Sequence, residues 1–145
     1  MATYSSKQLK HYNNLVSEIE LTYHEASKKL GVSDSVCKIL YTLCNGGEEY
    51  PLSKICKESG LSKQTVNSAL RQLENEDLIK LKAADGKSKI VCLTEKGKAY
   101  VKNNALRIIS IENEIFASWS EKELSEYLSL TEKFLTELKE KTAAL

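Results

Sequence analysis

The 145-residue sequence contains one proline, Pro51, and six glycines, too little punctuation for an all-β sandwich whose many short strands each end in a turn. It has no apolar run of the roughly 18 residues that a bilayer demands. Its opening stretch, MATYSSKQLKHYNN, lacks the apolar segment of a signal peptide. The expectation is a chain that works in the cytoplasm, with no membrane partner. The four cysteines, Cys37, Cys44, Cys56 and Cys92, form no C-x-x-C, and a chain of this size needs no disulfide staples. His11 and His24 are the only histidines and no H-E-x-x-H occurs, so a zinc site has no clustered ligands. With no G-x-S-x-G or G-x-G-x-x-G either, no catalytic residue, metal or cofactor is expected and the chain does not read as an enzyme.

What is present suits a mainly helical domain. Hydrophobic residues make up 41%, and a folded chain near 150 residues hides roughly 68–70% of the surface its unfolded form exposes. Twenty-one basic and twenty acidic residues give a net charge of +1, but the charges are segregated. Residues 51–98 hold ten basic and six acidic side chains, whereas 110–145 hold four and eight. The middle is basic and the C-terminal end acidic, the kind of asymmetry that a whole-chain sum conceals.

Leu9, Tyr12, Val16, Ile19, Tyr23, Ala26 and Leu30 step alternately by three and four, which predicts one long amphipathic helix ended by Gly31. Ser33 or Asp34 caps a second, largely apolar helix that stops at Asn45-Gly46-Gly47. A short helix starts near Pro51, with Leu52, Ile55 and Cys56 inward, and Ser59-Gly60 turns the chain. Ser62 then caps a helix whose inner stripe is Val66, Ala69, Leu70 and Leu73. Ile79–Lys82 and Lys89–Leu93, with Asp85-Gly86 between them, read as a β-hairpin. Thr94 caps a third long helix whose inner positions run from Val101 to Trp119, and Ser120 with Glu123 makes a capping box for a last one.

Two short helices meeting at Gly60 have helix-turn-helix spacing, since glycine admits the left-handed backbone of such a turn. Subtracting the inner stripe from the second of them leaves Ser62, Lys63, Gln64, Thr65, Asn67, Ser68 and Arg71 facing outward, with no acid among them. Hydroxyls and amides bond base edges or phosphates, and cations neutralise phosphate charge. Arg71 is one of only two arginines, with Arg107, and its planar fork suits a phosphate or a guanine edge. The hairpin tip, with Asp85, Lys87 and Lys89, supplies a second basic contact. Double-stranded DNA is the expected partner.

The order of elements resembles the MarR (multiple-antibiotic-resistance regulator) family of winged helix-turn-helix transcription factors. The resemblance rests on Leu61-Ser62 opening the second short helix, Leu70-x-x-Leu73-Glu74-x-x-x-Leu78-Ile79 closing it, Asp85-x-Lys87 in the wing, and Leu93-Thr94-x-x-Gly97. It implies a mainly α fold with a small β-hairpin wing, one unit over 1–145 in which a DNA-binding lobe, 33–98, is flanked by a helical dimerisation region, 1–32 and 99–145. It further implies a homodimer, a palindromic operator with half-sites roughly 34–36 Å apart, and a repressor relieved by a small-molecule effector bound between dimer helices and lobe. Tyr12, Tyr23 and Tyr41 have the chemistry to line such a space, but tyrosines at helical spacing more commonly pack a core, and no ligand residue is assigned. The family's wing usually carries Arg where this chain has Lys87, and lysine lacks the two-pronged contact.

Two other readings stay open. A winged helix also serves as a protein-interaction module, consistent with the low net charge. A thiol-based redox regulator would use Cys37 and Cys44, seven apart on one side of the second helix and about 10.5 Å apart along it, too far for a disulfide within an intact helix. The peroxide-sensing branch of the resembled family keeps its reactive cysteine near the start of the first helix, where residues 1–30 have none.

Overall fold

The computed structural model describes residues 2–47, 49–83, 86 and 89–145. The elements are α1 (Lys7–Lys29), α2 (Asp34–Asn45), β1 (Glu49–Pro51), α3 (Leu52–Ser59), α4 (Lys63–Asn75), β2 (Ile79–Ala83), β3 (Lys89–Leu93), α5 (Glu95–Val101), α6 (Ala105–Ser118) and α7 (Glu121–Thr142). They fall into two compact units, Met1–Ile108 and Ile109–Leu145. No helix of the described residues is long and apolar enough to cross a membrane.

The helix starts are set by hydroxyl caps, each accepting one of the backbone N–H groups that a helix leaves unpaired at its first turn. The Ser33 hydroxyl accepts from Val36, Ser62 from Thr65 and Thr94 from Gly97. Ser120 and Glu123 form the reciprocal capping box expected of them. α1 ends in a Schellman motif, with Val32 N donating to Ser27 O, Gly31 N donating to Lys28 O, and Gly31 at φ +73°.

The core of the first unit is built on α2. Ile39, Leu40 and Leu43 are fully buried, packed with Ile55 of α3, Val66 and Leu73 of α4, and Ile79 and Val91 of the sheet. Burial of each side chain of this size contributes roughly 1.5–3 kcal/mol. The α4 positions assigned inward by periodicity, Val66, Ala69, Leu70 and Leu73, are therefore among those that hold the helix-turn-helix on its base.

The structure extends one expectation and corrects another. The β-hairpin is part of a three-stranded antiparallel sheet in the order β1-β3-β2. β1 pairs Glu49, Tyr50 and Pro51 with Cys92, Val91 and Ile90; three residues ending in proline carry no alternation to read, and the strand exists because β3 offers a second edge. The single long helix expected beyond Thr94 is broken into α5 and α6. Asn104, 2% exposed, interrupts it: its side-chain N–H donates to Tyr100 O at 3.0 Å, and its Oδ1 accepts from Ala105 N at 2.6 Å. Such short-range bonds compete with the helical backbone ladder, while Val101, Ala105 and Ile108 stay buried on either side of the break.

The second unit consists of the rest of α6 and α7. At their junction Phe116, Trp119 and Tyr127 cluster, the first pair tilted and the second edge-to-face, each with ring centroids 5.3 Å apart. α7 has no buried residue, and Leu128, Leu130, Phe134, Leu135 and Leu138 are all exposed.

Candidate nucleic-acid interface

α3 and α4 are joined through Gly60, which lies at φ +69°, in the left-handed region that costs an L-residue roughly 1–2 kcal/mol. Ser59 is buried and its hydroxyl accepts from Leu61 N at 3.3 Å, closing the turn. The acid of α3, Glu58, accepts a hydrogen bond from the Tyr50 hydroxyl, an interaction that pushes the phenol pKa up. Tyr50 stands over Gly46 so closely that a Cβ there would meet the ring at 1.8 Å. β1 is thereby tied to the first helix of the pair.

α4 presents the expected surface. Lys63, Gln64, Asn67, Ser68 and Arg71 are exposed and Thr65 is half-buried, with Gln64, Asn67, Ser68 and Arg71 spaced as one helical stripe. The first turn carries no acidic residue, so its exposed backbone N–H groups and positive dipole end are not offset by a side chain of the same helix. Glu74 is the first acid along that stripe, one turn beyond Arg71. Ser62, exposed at the helix start, has a second commitment: besides accepting from Thr65 N at 3.1 Å, its hydroxyl donates to Thr65 Oγ1 at 2.8 Å. These two hydroxyls are engaged with each other, whereas the amides and cations of the face make no such bond among the described residues.

In the wing, Lys89 is exposed and pairs in register with Ala83, and Gly86 lies at φ +82°. Asp85 and Lys87 lie outside the described residues. Lys82, which the sequence left unassigned, is drawn to β1: its ammonium is 2.6 Å from Glu49 Oε1, and each partner holds the other charged, the Glu49 pKa being lowered and that of Lys82 raised. Glu49 and Lys82 are 33 residues apart and no local signal connects them; the acid came into play only when β1 paired.

No disulfide joins any two of Cys37, Cys44, Cys56 and Cys92. Burial pushes the Cys37 pKa up and the Asp34 charge adds to it, which disfavours the thiolate that redox chemistry needs. No group of three or more metal-ligating side chains occurs among the described residues.

Sequence comparison assigns residues 38–80 to a family of winged helix-turn-helix DNA-binding domains. No curated protein is matched by the sequence. Among solved structures, a MarR family regulator from Neisseria meningitidis superposes with a TM-score of 0.78 at 23% identity, covering 96% of this chain and 98% of that one. AbsC, a MarR family transcriptional regulator from Streptomyces coelicolor, gives 0.71 at 14% identity over 95% and 99%. BpsR from Bordetella bronchiseptica, whose DNA binding is regulated by 6-hydroxynicotinic acid, gives 0.64 at 17% identity over 88% and 98%. The resemblance first drawn from Leu61-Ser62, the Leu70–Ile79 stretch and Gly97 thus holds across nearly the whole chain: its fold is the winged helix-turn-helix fold of the MarR family.

Proposed function

We propose that the protein is a DNA-binding transcriptional regulator, acting in the cytoplasm as a homodimeric repressor on a palindromic operator and released by a small-molecule effector. The observation that carries this reading is the exposed, acid-free stripe Gln64, Asn67, Ser68 and Arg71 on the second helix of a helix-turn-helix. Arg71 takes a guanine edge or a phosphate, Gln64 and Asn67 read base edges, and Lys63, Lys87 and Lys89 neutralise phosphates. Residues 33–98 form the DNA-binding lobe, and 1–32 and 99–145 the dimerisation region.

The dimer is supported by the apolar side chains left in water. On α1, Leu9, Tyr12, Leu15, Ile19 and Tyr23 are each 44–51% exposed, and α7 buries nothing. Apolar surface on that scale marks an association site in a soluble chain. The effector is supported by the ligand-regulated DNA binding of BpsR. It acts by preferring one spacing of the two lobes, since a ligand shifts an equilibrium only by its differential affinity for the two states.

The test is fluorescence anisotropy on the DNA upstream of the protein's own reading frame. Affinity falls steeply with salt, by a slope of about 0.9 per neutralised phosphate, and Arg71→Ala weakens it further. Salt-insensitive binding, or an inert Arg71→Ala, overturns the assignment.

A further inference from the structure

The C-terminal end of α4 is held in place by groups from outside the helix. Leu78 N donates to Leu73 O and Asp77 N to Glu74 O, a Schellman closure whose left-handed position is taken by Asp77 at φ +60° rather than by glycine. Aspartate enters this region more readily than most side chains but less readily than glycine, so contacts from outside the helix help to hold it there. Those surroundings are supplied by the junction between β3 and α5. The Thr94 hydroxyl donates to Asp77 O at 2.7 Å, and Thr94 N donates to Leu78 O at 3.0 Å. The Lys96 ammonium donates to Glu76 O at 3.0 Å. Three successive carbonyls past the end of α4, those of Glu76, Asp77 and Leu78, are therefore each met by a donor from one short segment.

The same segment is pinned in turn. Thr94 Oγ1 also accepts from Gly97 N at 2.9 Å, so one hydroxyl, using its donor and an acceptor site, serves the end of α4 and the start of α5 together. Gly97 lets the two approach: a Cβ there would stand 2.0 Å from Leu78 O. Because β3 runs straight from the wing into Thr94, the wing strand and the recognition helix share this contact.

We infer that Thr94 and Lys96 form a latch that positions α4 for DNA, Lys96 acting on a backbone carbonyl and not on a phosphate. The inference rests on the DNA-binding reading above and adds to it two positioning residues outside the helix-turn-helix. A cation on the last carbonyls of a helix also opposes the negative end of its dipole, so Lys96 has a reason to stay on Glu76 when DNA is bound.

The experiment measures full-length protein against operator and scrambled DNA across a salt series, for Thr94→Val, Thr94→Ser, Lys96→Met and Lys96→Arg, well below each variant's melting temperature. Thr94→Val and Lys96→Met are expected to weaken operator binding by roughly 3–10-fold, the effect of losing one hydrogen bond, to leave scrambled-DNA binding unchanged and to keep the salt slope. Thr94→Ser and Lys96→Arg restore the operator affinity. A slope reduced by about 0.9 per half-site for Lys96→Met makes Lys96 a phosphate contact and overturns the inference, as do variants that bind the operator like wild type. A wild type that shows no salt-dependent DNA binding overturns the regulator reading itself, and the latch role with it.

Discussion

Lys82 on β2 and Cys92 on β3 share one oxygen of Glu49: the Lys82 ammonium lies 2.6 Å from Oε1 and the Cys92 thiol 3.6 Å from it. The row Glu49, Cys92, Lys80 crosses all three strands in register, with Lys82 reaching over from the next position. One carboxylate thus neutralises a wing lysine and faces a thiol.

Replacing that carboxylate separates the two effects. Glu49→Gln frees Lys82 for phosphate, so DNA affinity rises about 2–5-fold at low salt and the salt slope steepens by up to 0.9 per lobe. Stability changes little, since both partners are exposed and solvent screens their attraction. The Cys92 pKa, raised by burial first and by the Glu49 charge second, falls, and its alkylation by iodoacetamide at pH 8 speeds up. Unchanged salt slope and unchanged alkylation rate together argue that Glu49 engages neither group in solution.

Arg71→Lys does not substitute for Arg71. A lysine keeps the charge and loses the planar fork, so operator discrimination falls by roughly 1–3 kcal/mol while binding to scrambled DNA is retained. Competition anisotropy with single base-pair variants reads the difference.

Gly97→Ala tests close packing at the latch. The added methyl would meet a backbone carbonyl at 2.0 Å, which a rotamer change cannot relieve, and the expected loss is about 1–3 kcal/mol in urea denaturation. Gly60→Ala meets no atom within 4 Å and loses only the left-handed freedom, about 1–2 kcal/mol.

The α1–α2 junction is sensitive to acid. Asp34 accepts from the Ser27 hydroxyl and lies against His24 Nδ1, both at 2.5 Å, and its pKa is lowered from 3.8, by Ser27 first and His24 second. Because the folded value lies below the unfolded one, the contribution is present above about pH 4 and lost as pH falls through the folded value. Asp34→Asn removes this dependence, so its urea midpoint between pH 3 and 6 runs flatter than wild type, and Ser27→Ala flattens it more than His24→Ala.

Leu128→Asp with Leu135→Asp, on a helix with no buried residue, is expected to shift the protein from dimer to monomer in light scattering while the circular dichroism of the first unit's helices is retained. A variant that stays dimeric places the association elsewhere.

How much of this was legible in the sequence depends on the range of the interaction concerned. Ser33, Ser62, Thr94 and Ser120 announced their helices because a cap bonds an N–H three residues away. Val66, Ala69, Leu70 and Leu73 announced the inner face of α4 because burial follows the helical period. The outward set followed by subtraction, and α4 exposes it apart from the half-buried Thr65. By contrast, Asn104 kept the spacing of its apolar neighbours intact, so the break between α5 and α6 left no trace in the pattern.

The sequence alone determined the helices, their caps, the glycine turn and the chemistry of the α4 face, since each is a matter of neighbours within about one helical turn. Only the tertiary structure decided the third strand, the pairing of Glu49 with Lys82, and the attachment of Thr94 and Lys96 to the end of α4. These join residues 17 to 43 positions apart, and their partners become neighbours only after the sheet has formed against α4. No periodicity encodes such contacts, because they satisfy carbonyls and charges that the local elements leave open.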